Sequence, residues 1–253
     1  GRDTDARSLY AQAEMLATEG GLGMRPGWAA MRQTVSGVLQ RRLKDAIDRL
    51  DRSTVLDQVQ VLRLLSLQTS ETDALRQLAE SLPQAGQRLR DNDGPALVFL
   101  PARLGGSQLD RPVAMMQREL TVGEFAQFIH DSRHRVAECT RRDTRLPSVA
   151  GNRHWRKPGF PQGDDEPVVC ISALDVDAYA DWLSQKTGAR YRVPSLAEWR
   201  HAAQVPASIE CGSANLHDRR GCDDGVGFTS PSGRFAADPL GMTDLVGNVS
   251  EWT

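Results

Sequence analysis

Cys211-Gly-Ser-Ala-Asn-Leu216, Gly221-Cys-Asp-Asp-Gly-Val-Gly-Phe228 and Gly241-Met-Thr-Asp-Leu-Val-Gly-Asn-Val-Ser-Glu-Trp-Thr253 are three pieces of one closing stretch. It concentrates carboxylate and amide oxygens, glycines and two cysteines, and lacks the apolar period of a helix or a strand. Apolar burial alone does not hold such a segment. Hard cations, which take oxygen ligands from a backbone free to turn, and disulfides are the two usual supports.

Around that stretch the chain is ordinary in composition. Its 253 residues suffice for one large domain or two modest ones. A net charge of -2 gives no footprint for nucleic acid or an anionic membrane. No apolar run approaches the roughly 18 residues of a membrane span; the longest, Ala96 to Pro101, is strand-sized. Gly1-Arg2-Asp3 opens in polar sequence without a signal-peptide pattern, which says nothing about export. Cys139, Cys170, Cys211 and Cys222 contain no Cys-x-x-Cys pair, and three pairings are open to them. Cys211 and Cys222 sit in polar, glycine-containing sequence with little core to hide in, which favours an oxidising compartment.

Residues 1–92 read as an α-helical region, a small bundle or a degenerate helical repeat. Leu9, Tyr10, Ala13 and Leu16 fall at helical spacing before Gly20-Gly21. A second helix follows Pro26 and runs through Leu43 and Ile47; Ser53-Thr54 caps a third, and Ser70 opens a fourth that stops near Pro83. The charged face formed by Arg41, Arg42, Lys44, Asp45 and Asp48 to Arg52 reads as solvated surface and the region as a spacer or protein contact. Asp91-Asn-Asp-Gly-Pro95 is turn chemistry and marks the domain boundary, so that residues 93–253 form the second domain.

In that domain Ala96–Leu100 reads as a strand, and Thr121 as the cap of a helix carrying Phe125, Phe128 and Ile129. His130 to Pro161 is basic and irregular, too long to be idle. Pro167–Ser172 reads as a buried strand, followed by a helix ending at Thr187-Gly188. Tyr191–Pro194 reads as a short strand before Ser195, which pairs with Glu198 in a capping box. Short strands, a few helices and long loops make the fold α+β. The histidines, His130, His134, His154, His201 and His217, read as surface or hydrogen-bonding residues, not as a metal site.

Five blocks in order then carry a resemblance: Leu120–Phe125, Trp155–Phe160, Pro167–Ser172, Thr187–Trp199 and Gly241–Thr253. Over about Leu97 to Thr253 the chain resembles the formylglycine-generating enzyme (sulfatase-modifying factor) family, which has a C-type-lectin-like fold. The resemblance implies two calcium sites. One takes the Asn215 side chain, the Leu216 carbonyl, the Asp224 side chain and the Val226 carbonyl; the other takes Asp244, the Gly247 and Val249 carbonyls, and Glu251. These are the oxygen donors that calcium prefers. Cys211 and Cys222 bracket the first of these loops, and a bridge between them would add roughly 3 kcal/mol. Cys139 and Cys170 remain as the other pair.

The family's enzymes oxidise a substrate cysteine with copper held by two cysteines, which lie in a block beyond the Glu-Trp-Thr segment. None of the four cysteines here occupies those positions, so no copper ligands are expected in this chain. Ala173 stands where the family has Trp, Leu196 where it has Glu, and Ser250 where it has Trp. The family's iron-dependent sulfoxide synthases add a histidine-rich helical domain, yet no histidine occurs before Arg90. The resemblance therefore implies a non-catalytic, calcium-stabilised sensor or interaction domain, periplasmic or extracellular. Similar domains accompany bacterial membrane Ser/Thr kinases and regulators of type VI secretion. Its partner would be a protein or small extracellular ligand, with membrane contact only through segments outside this chain. The rival readings are a copper-dependent formylglycine-generating oxidase truncated before its active-site cysteines and a lectin-like ligand binder.

Overall fold

The computed structural model describes residues 26–64, 70–137, 139, 153–203, 212–216 and 223–253. The expected helix around Leu9 to Leu16 lies outside the described residues. The chain divides into two compact units, the first reaching Gln84 together with Asp110–Pro112, the second holding Ala85–Leu109 and Val113–Thr253.

In the first unit the described helices are α1 (Pro26–Asp48), α2 (Arg52–Leu64) and α3 (Ser70–Ser81). Leu39, Leu43 and Ala46 of α1 meet Val55, Val59 and Leu62 of α2, and Ala79 and Leu82 close the cluster. Each trio repeats four and then three residues on, the spacing of one helical face. Leu43, Val55 and Leu62 are fully buried, each contributing on the order of 2 kcal/mol in transfer terms.

The junction of α1 and α2 differs from the sequence expectation. Leu50 adopts φ 51°, its N–H bonds to Ile47 O at 2.9 Å and the Asp51 N–H to Ala46 O at 2.8 Å. This is a Schellman termination with leucine at the position glycine usually fills. Asp51, not Ser53-Thr54, then caps α2. Its carboxylate accepts from the Thr54 N–H at 3.1 Å and from the Ser53 and Thr54 hydroxyls at 2.8 and 2.7 Å. The hydroxyls are spent on the carboxylate, so the cap falls two residues earlier.

The second unit opens with an antiparallel sheet in the order β1 (Arg88–Arg90), β2 (Ala96–Leu100), β5 (Val113–Met116). Leu97 pairs with Met116 and Leu100 with Val113. β2 is central and buried from Leu97 to Leu100, which explains its unbroken apolar run. A two-stranded hairpin of β3 (Arg103–Leu104) and β4 (Ser107–Gln108) follows. The Asp91–Pro95 turn is therefore the tip of the β1–β2 hairpin, and the unit starts at Ala85, not at residue 93. Turn residues look alike at a hairpin tip and in a linker; the pairing of Arg88 with Val98 separates the two.

Three helices are described in the rest of this unit: α4 (Val122–Ser132), α5 (Ala173–Thr187) and α6 (Leu196–Ala202). All three begin with a capping box, from Thr121 with Glu124, Ser172 with Asp175, and Ser195 with Glu198. Phe125 and Phe128 of α4 meet Tyr179 and Leu183 of α5, and Trp155 and Val168 fill the same core. Trp155 stands edge-on to Phe125, with centroids 5.2 Å apart. A second cluster joins Val98 and Leu100 to Ala202, Leu240 and Met242.

Two expected strands are not ladder strands. Pro167–Ser172 makes a single bridge, between Pro167 and Thr121. Proline offers no N–H, and Cys170 at φ 60° turns the chain out of register. Tyr191–Pro194 is irregular. A disulfide joins Cys139 to Cys170, with Cα atoms 5.2 Å apart. Cys211 and Cys222 lie outside the described residues. Among the described residues no helix is long and apolar enough to cross a membrane.

Candidate functional site

The segment after β5 lies along the closing stretch and positions it. Gln117 O accepts from the Thr243 N–H at 3.0 Å, and Gln117 Nε2 donates to Gly241 O at 2.7 Å. Two residues on, Glu119 reaches the same stretch with its side chain. Glu119 Oε2 accepts from Asn248 Nδ2 at 2.7 Å and Oε1 from the Val249 N–H at 3.3 Å.

The residues expected at the first cation site are brought together. The Asp224 carboxylate accepts from the Leu216 N–H at 2.6 Å and the Val226 N–H at 2.9 Å, so one acid clamps both flanks of the loop. Asn215, only 4% exposed, donates Nδ2 to Phe228 O at 2.8 Å and to Asn248 Oδ1 at 3.0 Å. Both amide hydrogens are thus spent inside the protein, and the amide oxygen is its remaining acceptor. His217 lies outside the described residues.

At the second expected site Asp244 and Gly247 both take left-handed backbone, at φ 60° and 92°. Asp244 Oδ2 accepts from the Gly233 N–H at 2.6 Å. Glu251 accepts from the Trp199 indole N–H. Burial, joined by the Asp244 charge and to a smaller degree that of Glu251, pushes Glu119 up to about 8. Burial also raises Asp244, and the Gly233 N–H, then Thr243, then the Arg118 charge offset only part of the effect. Glu251 is exposed as a residue, yet protein atoms crowd its carboxylate; this crowding and the Asp244 charge raise it against the Trp199 bond.

Glu119 was not among the expected residues. In the sequence it is one acid beside Leu120, and nothing local distinguishes it from a surface residue. It is 7% exposed in the structure. The Asp244 charge adds to burial at both Glu119 and Glu251, and a cation bound among these acids would relieve that repulsion. Among the described residues no three Asp, Glu, His or Cys side chains are arranged as a ready-made metal group. A cation here would rest on backbone carbonyls with one or two acids. That is the donor chemistry expected of Gly247, Val249, Asp244 and Glu251, and it fits calcium better than a transition metal.

The described histidines stand elsewhere. His201 is fully buried and bonds Ser107 Oγ at 2.9 Å and Pro101 O at 2.8 Å, tying α6 to the β3–β4 region. His134 Nε2 meets Asp175 at 2.7 Å, beside the α5 cap. Both are hydrogen-bonding residues of the scaffold.

The architecture and its closing loops agree with comparisons to known proteins. Residues 84–253 match the family described as sulfatase-modifying factor enzyme 1-like domain, and the chain belongs to that family. A formylglycine-generating enzyme from Mycobacterium tuberculosis is 35% identical over 121 residues, 39% of this chain and 38% of that protein. One from Thermomonospora curvata is 29% identical over 123 residues, again 39% of this chain and 38% of that protein. The match thus spans well under half the length of these curated relatives. The structure of PvdO from Pseudomonas aeruginosa aligns with a TM-score of 0.50 at 26% identity, over 64% of this chain and 72% of that one.

Proposed function

We propose that the second unit is a non-catalytic sensing or interaction domain, stabilised by calcium and acting outside the cytoplasm. The observation that carries this reading is where the chain departs from its family. Ala173, Leu196 and Ser250 are all exposed. The capping boxes and the acids of the closing stretch, which hold the scaffold, are kept. A preserved scaffold under an altered surface is what a binding role requires. Leu174, Leu196 and Trp252 add exposed apolar area to that surface. The Cys139–Cys170 disulfide supports an oxidising, periplasmic or extracellular setting.

Calcium, where bound, supplies positive charge to Asp244 and Glu251 and fixes the Gly247 and Val249 carbonyls; in the first loop Asn215, Leu216, Asp224 and Val226 take the same part. The ligand is a protein or a small extracellular molecule. Within the same proposal the domain is the sensing part of a bacterial membrane Ser/Thr kinase linked to type VI secretion, supported by the sequence resemblance alone.

The second reading, a copper-dependent oxidase, draws on the names of the two curated relatives. The experiment is to incubate the full natural protein with copper, oxygen and a cysteine-bearing sulfatase-type peptide, and to follow the peptide by mass spectrometry. The peptide is expected to return unchanged. Conversion of its cysteine to an aldehyde would replace the sensor reading with the oxidase.

A further inference from the structure

Asn248 sits between the two candidate cation loops and bonds to both. Its backbone, at φ 51°, sends the N–H to Asn215 O at 2.9 Å. Its Oδ1 accepts from Asn215 Nδ2 at 3.0 Å and from the Ser230 N–H at 2.9 Å. Its Nδ2 donates to Ser230 O at 3.1 Å and to Glu119 at 2.7 Å. Glu119 in turn receives the N–H of Val249, one of the expected carbonyl donors of the second site. One amide therefore fixes which way the Asn215 side chain faces, for the first loop, and through Glu119 sets the Val249 peptide, for the second.

The contact between the loops is also tight along the backbone. A Cβ on Gly247 would stand 2.3 Å from Asn215 O, so a donor residue of the second site rests directly against a donor residue of the first. Neither loop can shift its backbone without moving the other, because Asn248 has every amide hydrogen and its oxygen committed.

We propose that Asn248 is a positioning residue that couples the two loops into one cooperative cation-binding unit, in which filling either loop tightens the other. The coupling rests on the calcium reading above. It has a thermodynamic signature that a merely structural asparagine lacks. The factor by which the first loop affects the second must equal the factor in the reverse direction.

The test is calcium titration by isothermal calorimetry on the decalcified full-length protein, with near-ultraviolet circular dichroism to confirm folding. Asn248→Gly keeps the left-handed backbone, which glycine adopts without strain, and removes the amide. It is expected to weaken both ions by at least about fivefold, the lower end of typical coupling. Weakening of one ion alone, or of neither, overturns the coupling.

Should that variant fail to fold, Asp224→Asn and Glu251→Gln carry the test, each impairing one loop. Each is expected to lower the affinity of the other loop. An untouched second site in Asp224→Asn overturns the proposal while leaving the calcium reading in place. A wild-type protein that takes up no calcium overturns both.

Discussion

The α-carbon of Gly247 is pressed so closely against the carbonyl of Asn215 that a methyl group there would lie 2.3 Å from the oxygen. Gly247 also holds φ 92°, where a side chain is strained in any surroundings. Gly247→Ala is therefore expected to cost at least about 2 kcal/mol, read as a fall in the urea midpoint. Gly241 shares the backbone conformation, at φ 86°, but has open space around its Cβ direction; Gly241→Ala should cost about 1 kcal/mol. Gly227 has neither constraint, and its alanine variant should be close to neutral. Equal effects at the three positions would refute the argument from close approach.

Legibility in the sequence followed the range of the interaction. Thr121 and Ser195 each meet an acid three residues on, and their helix starts could be read because capping chemistry is local; Ser172 with Asp175 carries the same signal but reads as the end of an apolar run. The buried β2 was legible from its apolar run. β1 was not, since Arg88-Leu-Arg90 has no strand signature of its own and exists by pairing with β2. Pro167–Ser172 misled in the opposite direction, an apolar run without a ladder partner beyond one bridge. In the candidate site, Asn215, Asp224, Asp244 and Glu251 came from the family resemblance, and only the last two lie within its five blocks. Glu119 and the linking role of Asn248 depend on contacts across more than a hundred residues of chain, which no periodicity encodes.

Calcium removal gives the most direct stability test. A ligand that binds only the folded state at a hundred times its dissociation constant adds about 2.7 kcal/mol. For a chain of this size that moves the melting temperature by roughly 5–10 °C. Chelator is expected to lower the temperature by that much, and added calcium, not magnesium, to restore it. A melting curve indifferent to chelator, with no calcium by elemental analysis, would remove calcium from the account.

In the calcium-free protein, Glu119 and Glu198 act at different pH. Glu119 is raised from 4.5 to about 8, so between those values the folded state holds a proton the unfolded chain has released. Stability from this group is present below pH 4.5 and is lost as pH rises through 8. Glu198, bonded to Arg192 and to the Ser195 cap, is lowered to about 2; its contribution is present above pH 4.5 and lost as pH falls through 2. Because Arg192 is half exposed, solvent screening makes the second effect the smaller one. Decalcified protein should be most stable near pH 5 and weaken toward pH 8. Glu119→Gln should flatten the alkaline side and leave the acid side unchanged. An unaltered profile in Glu119→Gln would show that another group controls it.

The Cys139–Cys170 bond closes a separation of 31 residues. On loop entropy alone such a link stabilises by about 3–4 kcal/mol. It also ties the segment before Trp155 to the extended chain that leads into α5. Cys139→Ser with Cys170→Ser is expected to lower the unfolding free energy by that amount, and mild reductant to reproduce the loss in the wild type. A double variant as stable as the parent would show that the disulfide adds little to the fold.

The α1–α2 junction places two opposing terms on adjacent residues. Asp51 is 5% exposed and carries the α2 cap. Asp51→Ala removes the acceptor of the Thr54 N–H and of two hydroxyls, at a cost of about 1–2 kcal/mol. Asp51→Asn keeps an acceptor oxygen and should recover most of that loss. Leu50 is held at φ 51° while 37% exposed, so glycine there gives up little burial and relieves roughly 1 kcal/mol of backbone strain. Leu50→Gly should therefore stabilise where Asp51→Ala destabilises, both read from helix ellipticity in urea. If Leu50→Gly instead lost stability, the leucine side chain would be contributing more through packing than its left-handed backbone costs.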